Sequence, residues 1–166
     1  MELRPDRLER QLAGEPLRPV YLVAGSEPLL VQEAADAVRA RAREEGYGER
    51  EVYDAEGGFD WNTLTRGMAS LSLFASRRVF DLRLPTGKPG KDGSEALQRY
   101  CSHLSDDVLT IVHLPKLDRQ QMQGAWFGAL SQAGPTIEVL PVDRRQLPTW
   151  IAQRLAAQGQ RVAEGD

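Results

Sequence analysis

One turn of the chain, Gly25-Ser26-Glu27-Pro28, has a position and residue types that partly resemble those of a phosphate-binding turn. It follows a short apolar run. A phosphate loop of the type GxxxxGK[ST] needs glycines for close backbone approach, a lysine for the β- and γ-phosphates and a hydroxyl for magnesium. This turn has one glycine and no lysine, and Glu27 places negative charge where a phosphate would lie. Pro28 also removes a backbone N–H donor. We therefore interpret the turn as a plain connection between a strand and a helix, without a functional phosphate loop.

Other side chains with reactive or metal-binding groups are few and scattered. Cys101 is the single cysteine, so an internal disulfide is excluded, and the chain suits a reducing cytoplasm. Its position one turn from Leu97 predicts a small core residue and not a nucleophile. His103 and His113 have no partners at zinc spacing. The sequence therefore predicts no catalytic residue, no metal site and no cofactor.

The elements around the turn predict an α/β domain. Residues 20–24 are apolar without alternation, as in a strand buried on both faces. The next segment has its apolar residues on one helical face, with Arg39, Arg41 and Arg43 on a solvated opposite face. Ser26 is the predicted cap of this helix, and Gly46 ends it. A buried strand that runs into an amphipathic helix is the first unit of a parallel sheet.

The rest of the chain repeats this alternation. Further strands are predicted at 51–54, 77–84, 108–114 and 136–140. Helices are predicted at 3–13, from Asp60 to about residue 70, at 94–104 with Ser94 as cap, and from Asp118 to residue 131. We expect residues 85–93 to form a surface loop. Residues 1–140 therefore make one domain, 141–148 a linker, and the apolar face of a helix at 148–157 needs a second domain to cover it.

Composition and charge exclude several functions. The 166 residues are 41% hydrophobic and 27% charged, as in a soluble globular protein. The net charge of −3 gives no global attraction to nucleic acid or to an anionic membrane. The chain contains no apolar run near the roughly 20 residues that span a bilayer. Its N-terminus is charged and lacks the apolar core of a signal peptide. We expect a cytoplasmic protein without a membrane partner.

Four stretches resemble the delta subunit of bacterial DNA polymerase III, the clamp-loader subunit that opens the sliding clamp. They are PVYLVAGSEPLLVQEAADAVR, FDWNTL, SLSLFASRRV, and AWFGAL followed by QLPTWIAQR. Their order and spacing fit along essentially the whole chain. The LF-A-S-R segment is the most specific, because periodicity alone does not require it. The resemblance covers only the N-terminal part of the family, without the rest of its lid and its collar domain.

The resemblance implies a P-loop NTPase-like, AAA+-type parallel sheet flanked by helices that does not hydrolyse ATP. It implies a clamp-binding domain at 1–140, and a linker and the start of a helical lid at 141–166. The pair Leu73 and Phe74 would project into a hydrophobic pocket on the clamp, assisted by Leu71.

The implied partners are the beta sliding clamp and the gamma/tau and delta-prime clamp-loader subunits, the latter mostly through the C-terminal domain. Primer-template DNA is reached only through the assembled complex. The chain would be a non-catalytic subunit of the DNA-directed DNA polymerase holoenzyme, a nucleotidyltransferase.

Three other functions remain open from the residues alone. A nucleotide-binding P-loop-like enzyme is disfavoured because the first turn lacks the lysine and the following Ser/Thr of the motif GxxxxGK[ST]. A DNA-binding module is disfavoured by the net acidity. A purely structural subunit would bury Leu73 and Phe74 inside the domain, and periodicity alone favours that placement. The resemblance favours an exposed anchor instead.

Overall fold

The computed structural model describes residues 2–3, 8, 12, 14–56, 58–69 and 77–139, in which strands alternate with helices. In chain order the elements are β1 (Glu2–Leu3), β2 (Val20–Gly25), α1 (Pro28–Glu44), β3 (Tyr47–Asp54), α2 (Asn62–Ala69), β4 (Arg77–Arg83), α3 (Gly90–Ser102), β5 (Val108–Leu114), α4 (Arg119–Met122), α5 (Ala125–Ala133) and β6 (Thr136–Val139).

The strands form one sheet in the order β1-β6-β2-β5-β4-β3, and every pairing is parallel. From β2 the chain crosses to β3 at the far edge, returns through β4 to β5, and then passes to β6 on the other side of β2. Strand β5 is buried along its whole length, and β2 along all but its last residue. The continuous apolar runs predicted both strands because helices cover both faces of the sheet at these positions.

Helices divide the core into two layers. On one face α1 packs against alternate strand residues such as Val23, Val79 and Ile111. On the other face α2, α3 and α5 cover Leu22, Phe80 and their neighbours. Each strand contributes to both layers because successive side chains point to opposite faces.

Several predicted boundaries are wrong. No side chain caps α1, and Glu27, not Ser26, occupies its N-cap position. Helix α3 begins at Gly90, four residues before the predicted Ser94, with Pro89 at its N-cap. Strand β3 begins at Tyr47, four residues before the predicted start. It is an edge strand with many exposed charged side chains, so its amino-terminal half carries no apolar run for a sequence pattern to detect.

The single helix predicted from Asp118 to residue 131 is two helices. Asp118 caps α4 through a full capping box with Gln121, as its position suggested. Gly124 then has an extended backbone, which interrupts the helical hydrogen bonds before α5 begins. Near the N-terminus Leu8 and Leu12 are helical and buried as expected, whereas Leu3 belongs to β1. The predicted linker and helix after residue 140 lie outside the described residues.

The prediction of a solvated face for Arg39 is wrong. This residue is 6% exposed, and its Nη1 lies 2.7 Å from Oδ1 of Asp81, a β4 residue with 0% exposure. Asp81 also accepts hydrogen bonds from Arg50 Nε at 2.5 Å and from His113 Nε2 at 2.8 Å. A charged residue is buried here because a second buried charge compensates it, which a helical pattern alone does not reveal.

Candidate functional site

The carboxyl edge of the sheet, where α/β folds bind ligands, lacks the features of a phosphate site. Gly25 ends β2 there, and a Cβ at this position would lie 2.7 Å from the carbonyl oxygen of Val139. The close approach of β6 therefore requires glycine, independently of any phosphate. Lys116, which follows β5, is exposed. Within the described ranges there is no group of three or more histidine, cysteine or acidic residues that could hold a metal.

The two described flanks of the predicted anchors lie at the opposite, amino-terminal edge of the sheet. Helix α2 ends at Ala69 and β4 begins at Arg77, so residues 70–76 connect them. The predicted anchors Leu71, Leu73 and Phe74 fall in this connection and lie outside the described residues. The structure does describe both flanks of the connection, and two consecutive arginines, Arg77 and Arg78, hold the second flank in place.

Arg78 joins the start of β4 to the end of α2. Its Nη2 donates to the backbone oxygen of Gly67 at 2.8 Å, and its Nη1 lies 3.0 Å from Oε1 of Glu51 on β3. The guanidinium also lies over the ring of Phe80, 5.3 Å from its centroid. With 7% exposure, Arg78 is a buried cation that is paired on both sides of its planar fork.

Tyr53 completes this arrangement from the edge strand β3. Its hydroxyl donates to Oε2 of Glu51 at 2.8 Å, the carboxylate that also pairs with Arg78. Burial, followed by the hydrogen bond to Glu51, raises the pKa of the Tyr53 hydroxyl well above its usual range, so it stays a donor. A Cβ at Gly67 would lie only 2.3 Å from this hydroxyl oxygen. Gly67 is therefore a packing requirement of the contact between α2 and the sheet.

Arg77 contacts the chain on the other face of the sheet, where α1 packs. Its Nη1 donates to the backbone oxygen of Glu45 at 3.1 Å, just after α1, and its guanidinium lies 5.5 Å from the ring centroid of Tyr47. The Tyr47 hydroxyl donates in turn to the backbone oxygen of Asp106 at 3.0 Å. These contacts connect the starts of β3, β4 and β5 along one edge of the sheet.

A groove of about 330 Å³ opens at the same edge. Its polar lining includes Arg18, Glu45, Tyr47, Arg77 and Asp106. Because its lining includes both arginine and carboxylate residues, the groove has no single sign of charge that would select a small anion or cation. Arginine and tyrosine are instead side chains that are enriched in protein–protein contacts.

Sequence reasoning missed the unit formed by Arg78, Glu51, Tyr53 and Gly67. In the sequence the two consecutive arginines are only part of the stretch SLSLFASRRV, after the predicted anchors. Glu51 and Tyr53 lie in a strand whose pairing is set by long-range contacts, and no local pattern connects them to a glycine in the next helix.

Comparison with known proteins gives one consistent result. Residues 21–139 match the family model described as DNA polymerase III, delta subunit. The DNA polymerase III subunit delta of Escherichia coli is 38% identical over 154 residues, which is 93% of this chain and 45% of that protein. Subunit delta of Haemophilus influenzae is 30% identical over 158 residues, with the same shares of the two chains. The chain thus spans about half the length of these relatives.

A solved structure shows the same fold. The DNA clamp loader delta protein of Bacillus subtilis superposes with a TM-score of 0.64 at 19% identity, over 93% of this chain and 48% of that one. This likeness confirms the expected fold class, a P-loop NTPase-like parallel sheet flanked by helices. In the part of the chain that the structure describes, no helix has the length and apolar character needed to cross a membrane.

Proposed function

The chain belongs to the delta-subunit family of DNA polymerase III, and we propose that it is a clamp-loader subunit that binds the beta sliding clamp and helps to open it for loading on primed DNA. The observation that carries the proposal is the family match over residues 21–139. The matched range includes the whole connection between α2 and β4, and with it Leu71, Leu73 and Phe74. These three residues are the proposed clamp anchors.

The position of the connection supports this role. Its two described flanks, the end of α2 and the start of β4, lie at the amino-terminal edge of the sheet, the opposite edge from the turn at Gly25. Arg77 and Arg78 hold its second flank to both helical layers. Fixed flanks lower the conformational entropy that an apolar segment loses when it enters a pocket on a partner.

Energetics indicate that the anchors do not act alone. Full burial of Leu73 and Phe74 contributes roughly 1.5–3 kcal/mol for each side chain. Association costs about 4–15 kcal/mol in lost translational and rotational freedom, so more surface must join the contact. The polar groove beside Arg77 lies on the same edge and supplies candidate rim residues. Loss of the two anchors still removes most of the affinity, as for other hot spots.

The mechanism is differential binding and not catalysis. If the anchor segment fits the clamp better when one clamp interface is open, binding shifts the clamp toward its open form by that difference in affinity. The energy that switches the access of this subunit to the clamp on and off comes from ATP bound to sister subunits of the gamma/tau type. Residues 1–140 form the clamp-binding domain, and residues 141–166 form a linker and the start of a helical lid. Contacts with the gamma/tau and delta-prime subunits and with primer-template DNA belong to the assembled loader.

Calorimetric titration of the 166-residue chain with its cognate sliding clamp tests the proposal. The test variant is Leu73→Ala/Phe74→Ala, and the matched control is Leu29→Ala, which removes an exposed leucine at the opposite edge of the sheet. We expect binding by the parent chain and the control, and its loss in the folded double variant. Equal binding by all three chains would refute the anchor assignment. A double variant that loses folding cooperativity would indicate that the pair is buried in the domain.

A further inference from the structure

We propose that the segments following β4 and β5 form a basic surface that contacts the phosphodiester backbone of DNA. The basic surface consists of Lys88, Lys91, Lys116 and Arg119, all of which are exposed. It lies at the carboxyl edge of the sheet, opposite the flanks of the proposed clamp anchors. The proposal therefore goes beyond clamp binding and does not depend on it.

The distribution of lysine in the chain singles out this place. All three lysines of the chain are in these two segments, whereas its arginines are spread along the sequence. Residues 84–91 and 115–121 carry four cations and a single carboxylate, that of Asp118. Asp118 Oδ1 accepts from the backbone N–H of Gln121 at 2.7 Å, as the cap of α4. A chain with a net charge of −3 therefore has a local excess of positive charge here.

Packing holds the two segments side by side. Gln121 Nε2 donates to the backbone oxygen of Gly87 at 3.3 Å. Gly87 has a positive φ of 65°, and a Cβ at this position would lie 2.7 Å from Cδ2 of Leu117. Lys88 and Lys116 are the chain neighbours of Gly87 and Leu117, so the two lysines lie on adjoining parts of the molecular surface.

The four cations are available to a partner. In the part of the chain that the structure describes, none of them forms an ion pair with a carboxylate. By contrast Arg83, at the end of β4, lies 3.9 Å from Asp54. Asp92 and Glu95 follow Lys91 on α3 and limit the basic surface along that helix. The basic surface is therefore short, and it fits a few consecutive phosphates.

The residue types favour a nucleic-acid backbone over an acidic protein surface. Lysine is depleted in protein–protein contacts, whereas its ammonium binds phosphate as a point charge. A lysine that neutralises a DNA phosphate also releases a condensed counterion, which drives binding. The chain belongs to a family of DNA polymerase subunits, so DNA is the polyanion that this surface would meet.

The contact has no means of reading sequence. Residues 84–91 and 115–121 contain no aromatic side chain on which a base could stack. Exposed lysines meet phosphates from outside, so they need no glycine-rich loop of the kind that is missing at Gly25. We therefore expect binding that is weak, independent of sequence and strongly dependent on salt.

Fluorescence anisotropy of the 166-residue chain with two labelled DNA duplexes of unrelated sequence tests the proposal. The test variant is Lys88→Gln/Lys116→Gln. The matched control, Arg43→Gln/Arg99→Gln, removes the same net charge from exposed arginines near the ends of α1 and α3, at the amino-terminal edge of the sheet. Urea titration shows which variants are folded.

We expect the parent chain to bind both duplexes with similar affinity, which falls as the salt concentration rises. The test variant should bind about tenfold more weakly at low salt. The slope of log K against log salt should fall in magnitude by about 2, since each phosphate contact accounts for about one unit. The control should keep the parent slope. Lys91→Gln/Arg119→Gln should behave as the test variant, and it replaces that variant if the latter does not fold.

Three results would overturn the proposal. The first is no binding by the parent chain at low salt, and the second is an equal loss of affinity in the test variant and the control. The third is displacement of the labelled DNA by poly-glutamate as effectively as by unlabelled duplex at equal charge, which would assign the basic surface to an acidic protein partner. The sliding clamp is absent from this assay, so failure of the proposed function would leave its outcome unchanged.

Discussion

Replacement of Asp81 by asparagine should destabilise the domain by about 3 kcal/mol at pH 7. Asp81 is fully buried and accepts from Arg39, Arg50 and His113. Removal of one partner from a buried ion pair costs about 3–5 kcal/mol because the other charge stays buried without compensation. The lower end of this energy range applies because Arg39 keeps its second ion-pair partner, Asp36. The side chain of Arg50 is 44% exposed, so the loss of its ion pair with Asp81 adds little to the destabilisation.

The pH dependence of this loss has a defined sign. Burial raises the pKa of Asp81, but hydrogen bonds from His113 and Arg50 and the charge of Arg39 outweigh it, so the net pKa lies below its ordinary value. A group with a lowered pKa stabilises the fold above its unfolded pKa of about 3.9, and this stabilisation is lost as pH falls through the folded pKa. The stability gap between parent and Asp81→Asn should therefore shrink as the pH falls below about 4.

Urea titrations of both chains between pH 7 and pH 3 measure this gap, with linear extrapolation to zero denaturant. Asp54→Asn is the matched control, because Asp54 is an exposed sheet carboxylate that lies 3.9 Å from Arg83. Its loss should cost well under about 1 kcal/mol at any pH. Two results would refute the reasoning: a gap below about 1 kcal/mol for Asp81→Asn at neutral pH, or a gap that does not change as the pH falls from 5 to 3.

Two further substitutions test packing. Gly67→Ala should lower the free energy of unfolding by about 1–3 kcal/mol in urea titrations, because the new Cβ meets the Tyr53 hydroxyl at 2.3 Å. Gly128 is in α5, and a Cβ at this position would meet no neighbouring atom within 4 Å. Gly128→Ala should therefore stabilise the chain by about 0.5–1 kcal/mol. A change in the free energy of unfolding with the same sign for both alanine variants would contradict the packing seen at Gly67. Thr110→Val should lower the free energy of unfolding by about 1–3 kcal/mol in the same titrations, because it leaves the buried Tyr100 hydroxyl without its hydrogen-bond partner. Parent stability in this variant would show that the hydroxyl finds another hydrogen-bond partner.

The parts of the fold that the sequence predicted are those with local causes. Strand β5 matches its predicted bounds because a predominantly apolar run, buried along its whole length, is distinct from its polar neighbours in the sequence. The cap at Asp118 was predictable since its hydrogen-bond partner, Gln121, is three residues away. The break at Gly124 was missed because glycine is tolerated within helices, and only its extended backbone ends α4.

The parts that the sequence did not predict depend on partners far along the chain. Arg39 lies among apolar positions of α1, and an arginine in a helix is expected to be exposed to solvent. It is buried because the fold brings it beside Asp81, which is 42 residues away in the sequence. Tyr47 to Arg50 carry no apolar pattern, and they form a strand because β4 offers a parallel edge. At the candidate site the anchors themselves were suggested only by family resemblance. The contacts of Arg78 with Glu51 and Gly67 depend on strand register and could not be read from any segment alone.

The consecutive arginines at the start of β4 follow from the alternation of side chains in a strand. Arg77 shares the face of Val79 and Asp81, where α1 packs, and it binds the chain just after that helix. Arg78 shares the face of Phe80 and binds the end of α2 in the other layer. Two arginines next to each other in sequence therefore attach the start of β4 to both layers of the domain. A shift of one residue in the register of β4 would exchange the two arginines and place each against the wrong layer.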